Sequence, residues 1–175
     1  QSVYYQYDVL GQLRERTDGL GLSETRDYDW QGQLIAVDHP ALGLRRQEYD
    51  PAGNMVRQIT PALAESEEAI RYVYDYERLQ RIEYPFHPEQ QVRYHYGNAD
   101  ADNNRVGRVM LIEDGTGARE LGYNALGEIN REVRTILIND IRFLTLVTTW
   151  QYDSWGRLLS MTFPDGEHLT YRYDE

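Results

Sequence analysis

A Tyr-Asp-x-x-Gly pattern occurs four times in these 175 residues, as Tyr7-Asp8…Gly11, Tyr28-Asp29…Gly32, Tyr49-Asp50…Gly53 and Tyr152-Asp153…Gly156. Composition predicts about 0.1 such matches by chance, so the repetition sets the architecture before any other feature does. The first three tyrosines are 21 residues apart. Weaker copies follow. Tyr74-Asp75 runs on to Arg78-Leu79 as if the glycine had been deleted, and Tyr96 precedes an insertion over 97–105 before Gly107. Tyr123-Asn124…Gly127 keeps the spacing with Asn for Asp, and Tyr173-Asp174 begins a copy that the chain end cuts. Residues 1–175 therefore read as one run of about eight copies, expected to be a fragment of a longer protein.

Ahead of five of the anchors the aromatic residues alternate. Tyr5 and Tyr7, Tyr72 and Tyr74, Tyr94 and Tyr96, Trp150 and Tyr152, and Tyr171 and Tyr173 are two apart. That spacing puts both side chains on one face of a β-strand. Asp then accepts hydrogen bonds from amides just downstream and closes a turn, a role open equally to Asn124. Gly supplies a positive φ without steric cost. An apolar residue recurs after it (Leu13, Leu34, Met55, Leu79, Val109, Ile129, Leu158), as the return strand of a hairpin requires. Second turns follow at Thr17-Asp18-Gly19, Val37-Asp38-His39-Pro40, Asp114-Gly115 and Phe163-Pro164-Asp165-Gly166. No stretch has helical periodicity; 61–70 is expected to be a loop with at most one helical turn.

Leu, Ile, Val and Phe make up about 23% of the chain, close to the ~20% at which disorder sets in. Fifteen Tyr and three Trp shift the balance towards order, because each buries a large apolar area with a polar tip. The absence of cysteine excludes a disulfide framework and thiol chemistry. The longest apolar run, 136–147, is interrupted by Asn139, Asp140 and Arg142 and falls short of the ~20 residues of a membrane helix, so no membrane insertion is expected. A net charge of −11 argues against nucleic acid, whose phosphates an acidic surface repels.

The anchor Tyr5-Gln6-Tyr7-Asp8-Val9-Leu10-Gly11-Gln12-Leu13, and Gln151-Tyr152-Asp153-Ser154-Trp155-Gly156-Arg157-Leu158 with its later Phe163-Pro164-Asp165-Gly166, resemble the Rhs or YD-repeat family. The resemblance runs along the whole chain. It implies an all-β fold, in which tandem hairpins join edge to edge in one spiral sheet forming part of a hollow, cocoon-like shell. Bacterial Rhs polymorphic toxins, Tc toxin complexes and animal teneurins are similar in this respect. In the bacterial members the shell encloses a toxic C-terminal domain. What the resemblance implies here is a non-enzymatic wall segment without cofactor, secreted or on the cell surface, whose partners are the rest of the shell and the enclosed toxin. The alternative is a cell-surface module that binds carbohydrate or protein through exposed aromatic faces. An isolated run of repeats would leave open sheet edges, which favours edge-to-edge self-association.

Other constellations carry less. Asp50-Pro51-Ala52-Gly53 resembles an Rhs self-cleavage sequence but occupies the Asp-x-x-Gly slots of the third copy, where Pro suits a turn. Asp100, Asp102, Asn103 and Asn104 hint at a calcium loop, yet Arg105 and Leu111 stand where the sixth-position Gly and twelfth-position Glu belong. The glycine pairs at Gly19/Gly21 and Gly115/Gly117 lack the third glycine and following helix of a phosphate loop. His39, His87, His95 and His168 have no zinc spacing. No catalytic or metal residue is expected. Tyr7, Asp8, Gly11 and their counterparts are expected to be structural, with the tyrosines stacked in cross-strand ladders.

Overall fold

The computed structural model describes residues 2–139 and 142–174. It divides into two compact units, 1–88 and 89–175. The first contains β1 (Tyr4–Tyr7), β2 (Leu13–Thr17), β3 (Ser23–Tyr28), β4 (Leu34–His39), β5 (Gly43–Tyr49), β6 (Met55–Ile59), β7 (Ile70–Asp75) and β8 (Arg78–Glu83). The helical turn α1 (Pro61–Ala64) lies between β6 and β7 and starts with proline, which is tolerated where no intrahelical amide bond is needed. The second unit contains β9 (Val92–Tyr96), β10 (Val109–Asp114), β11 (Gly117–Tyr123), β12 (Ile129–Asn139), β13 (Arg142–Tyr152), β14 (Leu158–Thr162) and β15 (His168–Thr170). Within each unit every strand pairs antiparallel with the next in sequence. The fold is the all-β hairpin array that the repeat predicts.

Every hairpin that starts from a full anchor strand carries a β-bulge at the tyrosine. Tyr7 pairs with Leu13 while Gln6 pairs with Glu15, which leaves Arg14 as the extra residue. The same shift occurs at Tyr28, Tyr49, Tyr74, Tyr96, Tyr123 and Tyr152. A bulge bends the strand and sharpens its twist, so each copy turns its sheet by the same device.

Each unit is thinly cored. Val37, Ala69, Leu121 and Tyr123 are the buried apolar residues among those described. Most strand residues are half-buried, and in β3 and β5 exposed positions alternate with covered ones. Such a sheet depends on neighbouring copies to cover one another's strands. Among the described residues no helix is long and apolar enough to cross a membrane.

Two departures from the repeat are visible in the fold. Where Tyr74-Asp75 lacks its glycine, Asp75 pairs directly with Arg78 across a two-residue loop, and Tyr76 itself takes a left-handed φ of 54°. In the longest interval, β12 and β13 extend to 11 residues each, beyond the strands that flank them. Asp140, which interrupts the apolar run there, lies outside the described residues.

Candidate functional site

The repeated aspartates each close a turn in the same way. Asp8 Oδ1 accepts the N–H groups of Leu10 and Gln12 at 2.9 Å each. The Asp8 amide donates to Gln12 O at 3.0 Å, and the Gly11 amide to Asp8 O at 3.0 Å. Asp29 does the same with Gln31 and Gln33, Asp50 with Ala52 and Asn54, and Asp153 with Trp155 and Arg157. Asn124 accepts from Leu126 and Glu128 at 3.0 Å through its amide oxygen. Only one acceptor oxygen is needed, which explains why Asn serves. Asp29→Asn should therefore leave the thermal midpoint close to wild type. Asp29→Ala strands two amide donors and should cost about 1–2 kcal/mol. Equal loss in both variants, read by circular-dichroism melting, would count against this geometry.

The second carboxylate oxygen is occupied as well. Asp8 Oδ2 accepts from Arg14 Nε at 2.9 Å, Asp50 Oδ2 from Asn54 Nδ2 at 3.0 Å, and Asp153 Oδ2 from Arg157 Nε at 2.7 Å. These carboxylates are held below the usual range. The leading cause is the Gln12 amide for Asp8 and the Asn54 side chain for Asp50. At Asp153 burial pushes upward, and Arg157 together with the turn amides outweighs it. A carboxylate that is ionised and fully engaged makes a poor proton acceptor.

The turn also occurs where the anchor pattern is hidden. Asp18 Oδ1 accepts from Leu20 and Leu22 at 2.8 and 3.0 Å, and the Gly21 amide donates to Asp18 O. The turn is thus Asp18-x-x-Gly21 rather than a tight turn at Asp18-Gly19, with Thr17 in the place of Tyr. At His39 the ring replaces the carboxylate: Nδ1 accepts from Ala41 and Leu42 at 3.2 Å. That leaves the proton of the neutral ring on Nε2. Residues 8, 18, 29, 39 and 50 therefore close successive turns at half the tyrosine period.

Adjacent copies interlock at the turns. Gly11 and Gly32 have φ of +79° and +85°, and a Cβ on Gly32 would lie 3.1 Å from Gln12 Nε2. The residue after each glycine thus lies over the turn of the next copy. Gln33 does so at Gly53, Arg108 at Gly127 and Glu128 at Gly156, while Asn54 Nδ2 donates to Tyr76 O at 3.4 Å.

The anchor tyrosines reach backwards. Tyr28, Tyr49, Tyr74, Tyr123, Tyr152 and Tyr173 donate their hydroxyls to the carbonyls of Leu13, Leu34, Met55, Val109, Ile129 and Leu158 at 2.7–3.1 Å. The strand ladders between these copies end at Glu15↔Thr25, Ala36↔Arg46, Arg57↔Arg71, Leu111↔Glu120, Arg131↔Thr149 and Ser160↔Thr170. Every acceptor lies two residues before the last paired residue. The strands diverge at the bulge, and the phenol supplies the donor that the neighbouring backbone no longer offers. Burial raises the Tyr49, Tyr123 and Tyr152 phenols above their ordinary range, which keeps them protonated as donors. Arg14, Arg108 and Arg157 lie over the rings of Tyr28, Tyr123 and Tyr173 at 4.8–5.5 Å. Reading the tyrosines as aromatic ladders does not anticipate this acceptor.

Among the described residues Asp114 is the most strongly shifted group. Burial pushes it upward, but hydrogen bonds from Arg134 and Thr116 outweigh that and hold it at about 2. Its oxygens lie 3.1 Å from Arg134 Nη1 and 2.7 Å from the Thr116 amide. A depressed carboxylate pKa contributes stability above its unfolded value and loses it as pH falls through the folded one. The denaturation midpoint should fall between about pH 4 and 2, and less steeply in Asp114→Asn. An unchanged slope in that variant would contradict the assignment.

The remaining candidates do not converge. His95 Nε2 lies 2.7 Å from Glu113 Oε2, and His168 Nδ1 lies 3.0 Å from Thr162 Oγ1, on different strands from His39. Asp102 pairs with Arg105 at 3.2 Å, and Asn103 and Asn104 take left-handed φ. Among the described residues no three His, Asp or Glu side chains assemble as metal ligands. The 97–105 insertion instead folds onto β11. The Tyr123 amide donates to Asn103 O at 3.0 Å, Asn104 Nδ2 to Tyr123 O at 2.9 Å, and Arg105 Nε to Leu121 O at 2.6 Å.

No curated protein matches the chain. The family model described as RHS Repeat matches residues 144–168 and 152–175, which include the anchors at Tyr152 and Tyr173. The solved structure of TcdB2-TccC3 is similar over 98% of this chain and 10% of its own, at 18% identity and a TM-score of 0.70. TcdB2-TccC3 without its hypervariable C-terminal region gives the same values. The Photorhabdus luminescens Tc holotoxin pore matches over 96% of this chain and 9% of its own, at 18% identity and a TM-score of 0.60. The chain thus spans about a tenth of the structures it matches, and what it shares with them is the fold.

Proposed function

We infer that this chain, a member of the Rhs/YD-repeat family, is a non-catalytic wall segment of an Rhs-type shell that surrounds a C-terminal toxin domain. The observation that carries the reading is the hydroxyl-to-carbonyl bond made by six anchor tyrosines to the copy before them. With the aspartates closing turns, the recurring residues join copy to copy. The anchors at Tyr7, Tyr28, Tyr49, Tyr74, Tyr96, Tyr123, Tyr152 and Tyr173 thus mark eight units of one wall. The equal match of TcdB2-TccC3 with and without its hypervariable C-terminal region supports a wall whose fold is separate from what it encloses. Such a shell acts outside the cell that makes it, as the holotoxin match fits.

The test uses the full-length protein that carries these repeats. Limited proteolysis should leave its C-terminal domain uncut in the wild type and cut it once the wall is weakened by Tyr123→Ala. A C-terminal domain cut equally fast in both would overturn enclosure.

A second reading rests on the turn tips. Trp30, Tyr76 and Trp155 are 90%, 93% and 84% exposed, and such rings stack on sugars or partner proteins. Saturable glycan-array binding that is lost in Trp30→Ala or Trp155→Ala would favour a surface binding module over an enclosing wall.

A further inference from the structure

We propose that the outer edge of β13, residues 142–148, pairs antiparallel with the same edge of a second copy about a two-fold axis at Thr145. The β12–β13 ladder runs from Asn139↔Arg142 to Arg131↔Thr149. On the other side β14 reaches only Thr149 through Tyr152, because its partner Thr162 leads straight into the turn closed by Phe163 and Gly166. Among the described residues, 142–148 therefore have a strand on one side alone. Half of their amides and carbonyls face outward without a ladder.

Beyond Arg142 at its start, this edge lacks the usual protection. Natural edges are blunted by charge, proline, bulges or a covering segment. Residues 143–152 carry no charge in a chain of net charge −11, and they contain neither Pro nor Gly. Phe143, Leu144 and Val147 are 67%, 46% and 36% exposed, and Leu137 and Ile138 on the facing strand are 50% and 59% exposed. Uncharged, β-branched and aromatic segments of this length pair readily with other strands. Two acidic molecules also meet least repulsion where neither carries charge.

The sequence of the edge selects the occupant. With Thr145 on the axis, Phe143 faces Val147 of the second copy, Leu144 faces Leu146, and the two Thr145 hydroxyls meet. Two pairs on each side of the axis thus set apolar residues against apolar ones, the arrangement that stabilises cross-strand pairs, and Arg142 at the end of the segment meets Thr148. Moving the axis to Leu144 would set Arg142 against Leu146. Moving it to Leu146 would engage Thr149, which β14 already holds. The edge is self-complementary in one register, as a two-fold interface requires. This inference is independent of what the wall encloses.

Sedimentation velocity across a concentration series of the whole chain tests it. The wild type should pass from monomer to dimer. Thr145→Lys, which sets like charges face to face on the axis, should abolish the dimer with an unchanged far-ultraviolet spectrum. Thr145→Cys should form an interchain disulfide under copper–phenanthroline and oxygen, since opposed Cβ atoms lie about 4.5–5.5 Å apart. Ser66→Cys, on an exposed loop, should not; the chain has no other cysteine. A wild type that stays monomeric throughout would overturn the proposal. So would a dimer that survives Thr145→Lys and fails to cross-link through Thr145→Cys, because association would then use another edge or another partner.

Discussion

Gly117→Ala should be the most damaging single-methyl change in the chain, at roughly 2–4 kcal/mol. Gly117 has φ of +140°, a region open essentially to glycine alone. A Cβ there would lie 2.1 Å from Thr135 O, 3.0 Å from its carbonyl carbon and 3.3 Å from Ile136 Cα. All three are backbone atoms of β12, which pairs with Gly117 through Ile136 and is tied to Thr116 O by the Leu137 amide at 2.8 Å. Nothing there yields without opening the ladder. Gly11 is the matched control: its φ is +79°, but a Cβ would meet no atom within 4 Å. Gly11→Ala should show only the left-handed strain of about 1–2 kcal/mol. Urea midpoints of the two variants separate the effects, and a Gly117→Ala no worse than Gly11→Ala would refute the backbone contact.

Truncation of Tyr123 should have a comparable cost for a different reason. The residue is buried, with its ring under Arg108 and its hydroxyl 2.7 Å from Val109 O. Tyr123→Phe removes one hydrogen bond and should cost about 1 kcal/mol. Tyr123→Ala removes the ring and should cost about 3–5 kcal/mol. It should also loosen the insertion, because Asn103 and Asn104 hold Tyr123 by its backbone. Amide hydrogen exchange over 98–107 should rise sharply in the alanine variant and little in the phenylalanine one. Equal protection in both would show that the insertion does not rest on the ring.

The strand and turn alternation was legible because it depends on local chemistry. Paired aromatic residues two apart, then Asp, then Gly three residues later, specify a strand and its reversal with little help from distant residues. The second turn was harder to see. At Asp18 the same turn lacks its tyrosine, and the adjacent Gly19 offers a shorter turn on paper. The spacing to Asp8 and Asp29 was the usable signal. At His39 the turn was signalled by Val37-Asp38-His39-Pro40, but the ring nitrogen that accepts its amides was not. The bulges and the tyrosine acceptors were not legible at all. Tyr28 bonds Leu13 O and Tyr152 bonds Ile129 O, separations of 15 and 23 residues, and any residue supplies a carbonyl. Which one is left without a partner depends on where the ladder ends, a property of register that side-chain identity does not encode. At the missing glycine, the two-residue loop between Asp75 and Arg78 forces Tyr76 into the left-handed region at about 1–2 kcal/mol, a strain the deletion alone does not announce.

The copy-to-copy bond made by the anchor tyrosines can be tested by chemical denaturation of a phenylalanine series. Tyr28→Phe, Tyr49→Phe and Tyr152→Phe should each lower stability by about 1 kcal/mol. Tyr7→Phe is the control, since the Tyr7 side chain is exposed and its hydroxyl meets no carbonyl among the described residues. Stability should fall in each of the three variants and stay unchanged in the control. Four indistinguishable midpoints would contradict this and show that these hydroxyls do not hold copy to copy.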